Sequence, residues 1–308
     1  MRHFTDFSRR GLLLGGLAAA AAASVPTFAS AKKVLDKGVL KMWPAGIQLW
    51  TVNDQLKADV PGTLKAVKAA GFDIVETAGT AGMAPADFLK AINDAGLKCR
   101  SSHTAMGDLI DNLDQKIADA QALGSEWLVC SSPKPPMALP ANEDWVKAMI
   151  ESMTPDAWKF NADQLAKIAP VVAKAGLKLA YHNHPMEWKD LGNGQCGYDI
   201  LMAAVPADLL RCELDLGWVF VGGRDPVEVM KKYAGRVDLL HIKDMIKDPT
   251  APIGFRSVDL GKGLIDWKPV FKTAHHIGVK QFFYEQEAPY LEPVMQSLSV
   301  SHDYLASI

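Results

Sequence analysis

The chain has 308 residues, 33 Lys plus Arg against 35 Asp plus Glu for a formal net charge of −2, and 49% hydrophobic residues. So even a balance, with no basic stripe, argues against nucleic acid as a partner, and the apolar content supports a large packed core. Four Cys would allow two disulfides in an oxidising compartment. Cys99, Cys130 and Cys212 fall inside apolar strand runs and are expected as buried free thiols, whereas Cys196 lies in a Gly-rich loop where a single bridge stays open.

At the N-terminus, Ser8-Arg9-Arg10-Gly11-Leu12 opens an Ala/Leu stretch to Ala23, and Ala29-Ser30-Ala31 supplies the small residues a signal peptidase accepts. The pattern predicts a twin-arginine export signal over residues 1–31. Its apolar run is too short to span a bilayer, and being Ala-rich all round it lacks the polar face of a core helix. No Cys near the cleavage region offers a lipid anchor. The expectation is a mature chain over 32–308, delivered to the periplasm by the twin-arginine export machinery, with no stable membrane anchor.

From residue 32 onward, short apolar or β-branched runs alternate with amphipathic helical stretches, the pattern of parallel βα units. Strands are predicted near 45–50, 72–76, 97–102, 126–131, 177–182, 209–215, 237–242 and 279–285. Several are announced by a helix ending in Gly, as in Ala70-Gly71, Ala95-Gly96, Ala175-Gly176 and Ile277-Gly278. Glycine there suits the left-handed residue that ends a helix. Eight such units in one stretch predict a single-domain α/β fold, the (β/α)8 TIM barrel, which typically takes about 250 residues. Two long connections, 132–154 after the fourth strand and 243–263 after the seventh, are read as loops, the first overhanging the barrel mouth.

The chemistry concentrates where strands run out. His182, Asp215, His241 and Glu285 each close a predicted strand. Strand ends far apart in sequence converge on one rim only in a closed parallel barrel, and there these four groups form a divalent-metal site. Side-chain alternation leaves two choices open: His184 shares a face with His182, and Glu213 with Asp215. Asp215 is preferred for the Gly-containing turn that follows it. Glu285 and Glu287, two apart on one face, are candidate catalytic bases, with Glu187 and His184 just past the fifth strand as further acid/base candidates. Trp50 ends the first strand and Glu76 the second; an aromatic at a barrel mouth suits the apolar face of a sugar. Lys243 and Arg256 are candidate donors to substrate hydroxyls or a carboxylate, although Lys243 also has Asp244 or a rim carboxylate as a salt-bridge partner. His275 and His276 sit in a helix away from the rim and are read as surface or packing residues.

Four segments taken in order resemble the xylose isomerase-like TIM barrels, the family of sugar isomerases, ketose 3-epimerases and inosose dehydratases. Gly176-Leu-Lys-Leu-Ala-Tyr-His-Asn-His-Pro is similar to the fifth-strand motif Leu-Ala-Leu-Glu-Asn-His, and Leu214-Asp215-Leu216-Gly217-Trp218 to Asp-Thr-Gly-His. His241-Ile242-Lys243-Asp244 resembles His-Leu-Lys-Asp, and Leu260-Gly261-Lys262-Gly263-Leu264-Ile265-Asp266 the Gly-x-Gly-x-Ile-Asp turn. The resemblance implies one divalent ion on His182, Asp215, His241 and Glu285, a small-molecule carbohydrate substrate, a homodimer as a common assembly, and contact of His103 with substrate hydroxyls. Two positions depart from the epimerase pattern: His182 stands where a Glu is usual, and Trp218 where a His is usual. A set of two His and two carboxylates suits Mn, Co or Zn better than Mg.

What the family's chemistry implies is enolisation: an ion on vicinal carbonyl and hydroxyl oxygens acidifies the carbon between them, and one base starts isomerisation or elimination. The expected function is therefore a metal-dependent sugar isomerase or epimerase, with a lyase or hydratase acting on a 3-keto sugar or glycoside as the alternative. Two other readings are a carbohydrate-binding barrel without catalysis and a phosphodiesterase like the abasic-site endonucleases of the same superfamily. Trp218, the Ser131-Ser132 end of strand four and the charge balance speak against the latter.

Overall fold

In the computed structural model, residues 38–192 and 194–308 are described; the predicted export segment lies outside them. Eight strands pair in parallel and close on themselves: β1 (Gly46–Gln48), β2 (Ile74–Thr77), β3 (Lys98–Thr104), β4 (Trp127–Cys130), β5 (Lys178–His182), β6 (Arg211–Asp215), β7 (Val237–Ile242) and β10 (Gln281–Tyr284). Every strand read from the sequence is present. Neighbours in the barrel are neighbours in the chain, except that β7 pairs with β10 and β10 closes the ring on β1. Between them lie β8 (Asp244–Lys247) and β9 (Phe255–Val258), an antiparallel hairpin rather than the loop expected over 243–263. The connection after β4 is likewise not all loop, because Asp144 caps a helix over Trp145–Ser152 by accepting from Lys147 N at 2.9 Å.

The helix ends follow the predicted chemistry. Gly96, Gly176 and Gly278 take φ of 78°, 82° and 82°, a region L side chains rarely adopt, and each lets a helix stop before the next strand. At the opposite end of the last barrel helix, Trp267–Ile277, Asp266 caps by accepting from Lys268 N. The main core fills the space between sheet and helices. Among the described residues all four cysteines are free; Cys196, the one left open for a bridge, donates its thiol to Asp199 Oδ2 at 3.4 Å. No described helix is long and apolar enough to cross a membrane.

A second, smaller apolar group occupies the inside of the barrel: Ile74, Trp127, Val129, Ala180, Leu239 and Phe283. Because side chains alternate along a strand, the residue two further on also faces inward. Stepping by two from Ile74, Ala180, Leu239 and Phe283 gives Glu76, His182, His241 and Glu285. The barrel interior is therefore apolar below and ionisable above. Phe283 is fully buried under that ionisable layer. Phe283→Ala should cost about 3–5 kcal/mol of unfolding free energy in a urea titration, because the closed interior cannot collapse onto the void. A loss below about 1 kcal/mol would contradict this description of the interior.

Candidate active site

Around Asp215 the sequence does three things at once. Its Oδ1 accepts from Trp218 N at 2.8 Å and caps the helix Leu216–Val221, which fixes the carboxylate at the end of β6. Asn183 then ties β5 to this point, donating to Asp215 O at 3.1 Å and accepting from Asp215 N at 3.0 Å. Gly217 leaves room for Lys243, since a Cβ there would lie 2.6 Å from Lys243 O and 2.9 Å from Lys243 Cβ. The ammonium of Lys243 sits 4.4 Å from the centroid of the Trp218 ring. Its other side faces carboxylates: Asp215 Oδ2 and Glu285 Oε2 at 3.1 Å each and Glu287 Oε1 at 2.5 Å.

Asp244, the other partner considered for Lys243, is occupied elsewhere. Its Oδ2 accepts from Gly261 N and Gly263 N at 2.9 and 3.0 Å, and its Oδ1 from Met245 N at 3.0 Å. The Gly-Lys-Gly segment thus folds around one carboxylate. Lys243 is left for the mouth.

His241 links two carboxylate groups. Its Nδ1 lies 2.9 Å from Glu285 Oε2 and 4.0 Å from Asp215 Oδ2; its Nε2 lies 2.6 Å from Glu76 Oε1 and 3.3 Å from Glu213 Oε2. One layer down, His103 Nε2 is 2.9 Å from Glu76 Oε1 and 2.7 Å from Glu213 Oε2, and His182 Nδ1 is 3.2 Å from Glu213 Oε2. Gln48 donates to Glu76 Oε1 at 2.9 Å.

The electrostatics follow from burial. Lys243 would lose its charge to desolvation, but Asp215, Glu285 and Glu287 outweigh that and hold its pKa above the usual range. Burial likewise opposes charge on Glu285, and Lys243 with His241 overcomes it, so this carboxyl stays ionised. Asp215 goes the other way: burial raises it more than Lys243 lowers it. For His103, burial is overcome by Glu76 and Glu213, which push it up to about 9, and His241 is raised for the same reasons. Having no such surplus of carboxylate, His182 is held well below the usual range by burial and by the charge of His241. Burial and then Lys243 bring His184 down to about 3, so that ring is neutral near pH 7.

A cavity of about 540 Å³ opens above this layer, walled by Trp50, Trp145, His103, His182, Glu285 and Glu287. Trp50 is 49% and Trp145 41% exposed. His184 also lines it, with Trp145 edge-on to its ring at 5.0 Å and Trp218 stacked at 6.0 Å. Arg256 stands apart: it is on β9, ion-paired with Asp248, and lines an adjoining cavity of about 310 Å³ that Glu287 also touches. Glu76 lies beneath the mouth, fully buried. Glu187 does not reach the cavity. Its Oε1 accepts from Tyr181 OH at 2.8 Å and its Oε2 from His184 N at 2.9 Å, a capping box for the short helix Pro185–Trp188. His275 packs edge-on against Trp43 at 6.3 Å, away from the mouth.

Glu213 and Trp145 carry parts of this arrangement that the sequence reading did not assign. Glu213 was legible as the inward residue two before Asp215; the structure uses both rather than one. Trp145 had no signal beyond its place in the long connection after β4.

The four groups at the mouth, His182, Asp215, His241 and Glu285, offer one ligand atom each, all within 4.8 Å of one another. Asp215 Oδ2 is buried and has no partner in hydrogen-bond geometry, Lys243 being close but misaligned. Two imidazoles and two carboxylates so arranged fit a divalent ion of the borderline class.

Comparison with known proteins agrees with this geometry. The model of the xylose isomerase-like TIM barrel family matches residues 64–300, and the chain belongs to that family. An inosose dehydratase of Geobacillus kaustophilus is 30% identical over 134 residues, 40% of this chain and 42% of that protein. The match thus spans about two fifths of the relative's length. Among solved structures, a sugar phosphate isomerase/epimerase of Parabacteroides distasonis is 25% identical with a TM-score of 0.69, over 85% of this chain and 97% of that one. A xylose isomerase-like TIM barrel protein of Mycobacterium smegmatis, solved in complex with magnesium, shares the fold at 16% identity and TM-score 0.62, over 87% and 96% of the two chains.

Two expectations follow. Lys243→Met leaves three carboxylates facing one another in a dry site and should cost about 3–5 kcal/mol in denaturant unfolding, with added Mn²⁺ restoring part of the loss. Unchanged stability, or no response to the ion, would contradict the role given to the ammonium. The second concerns Glu187, whose carboxyl burial pushes from an ordinary 4.5 up to about 8 against its two hydrogen bonds. Between those values the folded chain keeps a proton that the unfolded chain releases, so stability falls as pH rises through that window. Glu187→Gln should flatten that part of the stability curve, and an unaltered slope would refute the assignment.

Proposed function

We propose that this chain is a divalent-metal-dependent enzyme that enolises a keto or aldo sugar, in the manner of sugar isomerases and epimerases. The observation that carries the reading is the convergence of His182, Asp215, His241 and Glu285 at four strand ends, His182 and Glu285 lining a cavity walled by Trp50 and Trp145 and Asp215 and His241 buried beside them. An ion of the Mn, Co or Zn class held there supplies Lewis acidity toward a carbonyl and its neighbouring hydroxyl. Lys243 keeps Glu285 ionised. Glu287, which burial raises more than Lys243 lowers it and whose side chain is 30% exposed, is the carboxylate placed to exchange a proton with substrate carbon. His184, neutral near pH 7, lines the same cavity beside the sugar. The two tryptophans bracket the sugar ring on its apolar faces and exclude water from it.

A lyase or hydratase acting on a 3-keto sugar or glycoside is the second reading, and one feature favours it. Apart from the helix-capping Asp144, the carboxylates on the cavity wall are Glu285 and Glu287, both from the segment after β10. With His182 on β5 and Glu187 turned away, no carboxylate among the described residues, other than the helix-capping Asp144, faces them to act as a second base. That asymmetry suits elimination with a single proton-transferring carboxylate. The Geobacillus kaustophilus relative is named a dehydratase, a class that eliminates water.

The same step begins both outcomes, so the decisive experiment reads it directly. Metal-loaded protein incubated with keto and 3-keto sugars in deuterated water should place deuterium on carbon, seen by NMR, and Asp215→Ala should lose both the ion at the mouth and the exchange. Absence of exchange on every sugar, or full metal content in Asp215→Ala, would overturn the proposal. Loss of water or an aglycone identifies the lyase; a retained skeleton identifies the isomerase.

We also propose that the chain is exported by the twin-arginine route, on the strength of Arg9-Arg10 and the Ala29-Ser30-Ala31 site. Replacing both arginines by lysine should hold the protein in the cytoplasm, and continued periplasmic accumulation of that variant would disprove the route.

A further inference from the structure

Beneath the mouth lies a second convergence. His103 from β3, His182 from β5 and His241 from β7 direct one ring nitrogen each at a single atom, Glu213 Oε2 on β6, at 2.7, 3.2 and 3.3 Å. His182, Glu213 and His241 are buried and the His103 side chain is 10% exposed. These four residues again offer ligand atoms within 4.8 Å of one another. Two carboxylate oxygens of this layer, Glu213 Oε1 and Glu76 Oε2, are buried with no hydrogen-bond partner. Among the described residues no lysine or arginine pairs with either carboxylate, and their ion-pair partners are histidines.

We propose that the inner quartet His103, His182, Glu213 and His241 is a second divalent-cation site, separate from the quartet at the mouth. Three imidazoles and one carboxylate favour zinc, cobalt or nickel over magnesium or calcium, which prefer oxygen. With both sites filled, His182 and His241 would bridge the two ions as imidazolates, each ring giving up its N–H proton to solvent, so that both nitrogens offer a lone pair. His241 already presents Nδ1 to Asp215 and Glu285 and Nε2 to Glu76 and Glu213. His182 presents Nδ1 to Glu213, which leaves Nε2 for the mouth. An ion in the inner site supplies the positive charge that otherwise must come from protons on His103 and His241. Glu76 Oε1, which accepts from Gln48, lies 2.9 and 2.6 Å from the same Nε2 atoms of His103 and His241, contacts that an ion in the inner site would replace.

The inference does not depend on the reaction proposed above, and metal content tests it without any substrate. Full-length mature chain stripped of metal and titrated with Co²⁺ or Zn²⁺ should retain two ions after desalting, measured by elemental analysis. Glu213→Gln and, separately, His103→Gln should each drop to one ion, and Asp215→Asn should also drop to one. In the cobalt form, the visible ligand-field bands lost in His103→Gln should differ from those lost in Asp215→Asn, since one site is rich in nitrogen and the other in oxygen. Circular dichroism and thermal melting identify variants that fail to fold, and two variants at the inner site guard against losing one of them. One ion in the wild type that disappears with Glu213→Gln but survives Asp215→Asn would uphold the inner site and refute the mouth site. An ion count, or cobalt spectrum, unchanged in both folded inner-site variants would overturn the proposal.

Discussion

Charge compensation inside a closed barrel is the constraint on which the rest of this molecule depends. Glu76, Glu213, Asp215, Glu285 and Glu287 crowd the top of the barrel interior, and the lysine among them is Lys243. Unpaired, such carboxylates would cost several kcal/mol each in a water-poor interior. The motif residues around them serve this one need. Gly217 admits the lysine, Trp218 covers its open side, and Asp244 stays clear of it by binding the Gly261–Gly263 backbone. The histidines then take charge according to their neighbours: His103 and His241 are raised by the glutamates, while His182 and His184 are depressed by burial and the surrounding cations.

The departures at 182 and 218 are intelligible in these terms. A carboxylate at position 182 would add another negative charge beside Glu213, whereas a neutral imidazole offers a ligand without one. Trp218 presents a ring face to the Lys243 ammonium at 4.4 Å, an attraction a protonated histidine would reverse. The single substitution His182→Glu is therefore coupled to Lys243, Glu213 and His241 together rather than to a metal alone.

Most of the fold was legible because it rests on period and punctuation: apolar runs ended by Gly96, Gly176 or Gly278 mark the βα units, and alternation from the interior core picks out the inward residues. The mouth set His182, Asp215, His241 and Glu285 was legible for the same reason, each being an inward residue at a strand end. Beyond the last paired residue, alternation no longer governs direction. Glu187 and His184 show this: three residues apart and both candidate acids or bases, they form a reciprocal cap that turns the carboxylate toward Tyr181 and leaves the ring at the mouth. Arg256 was separated from the mouth by the β8–β9 hairpin, whose strands are four residues each and were hidden in a segment read as loop. Glu213 was visible but weighed against Asp215 as an alternative, because a four-ligand expectation has no place for an extra inward carboxylate.

The central claim is that this charge cluster is built around a divalent ion at the barrel mouth. Anomalous diffraction from crystals of the Mn- or Co-loaded protein, recorded at the absorption edge of that metal, locates the ion without reference to any substrate. The account predicts a peak within bonding distance of Asp215, Glu285, His182 and His241. Metal-loaded crystals with no anomalous peak there, and with Lys243 still filling the space between Asp215 and Glu285, would contradict it.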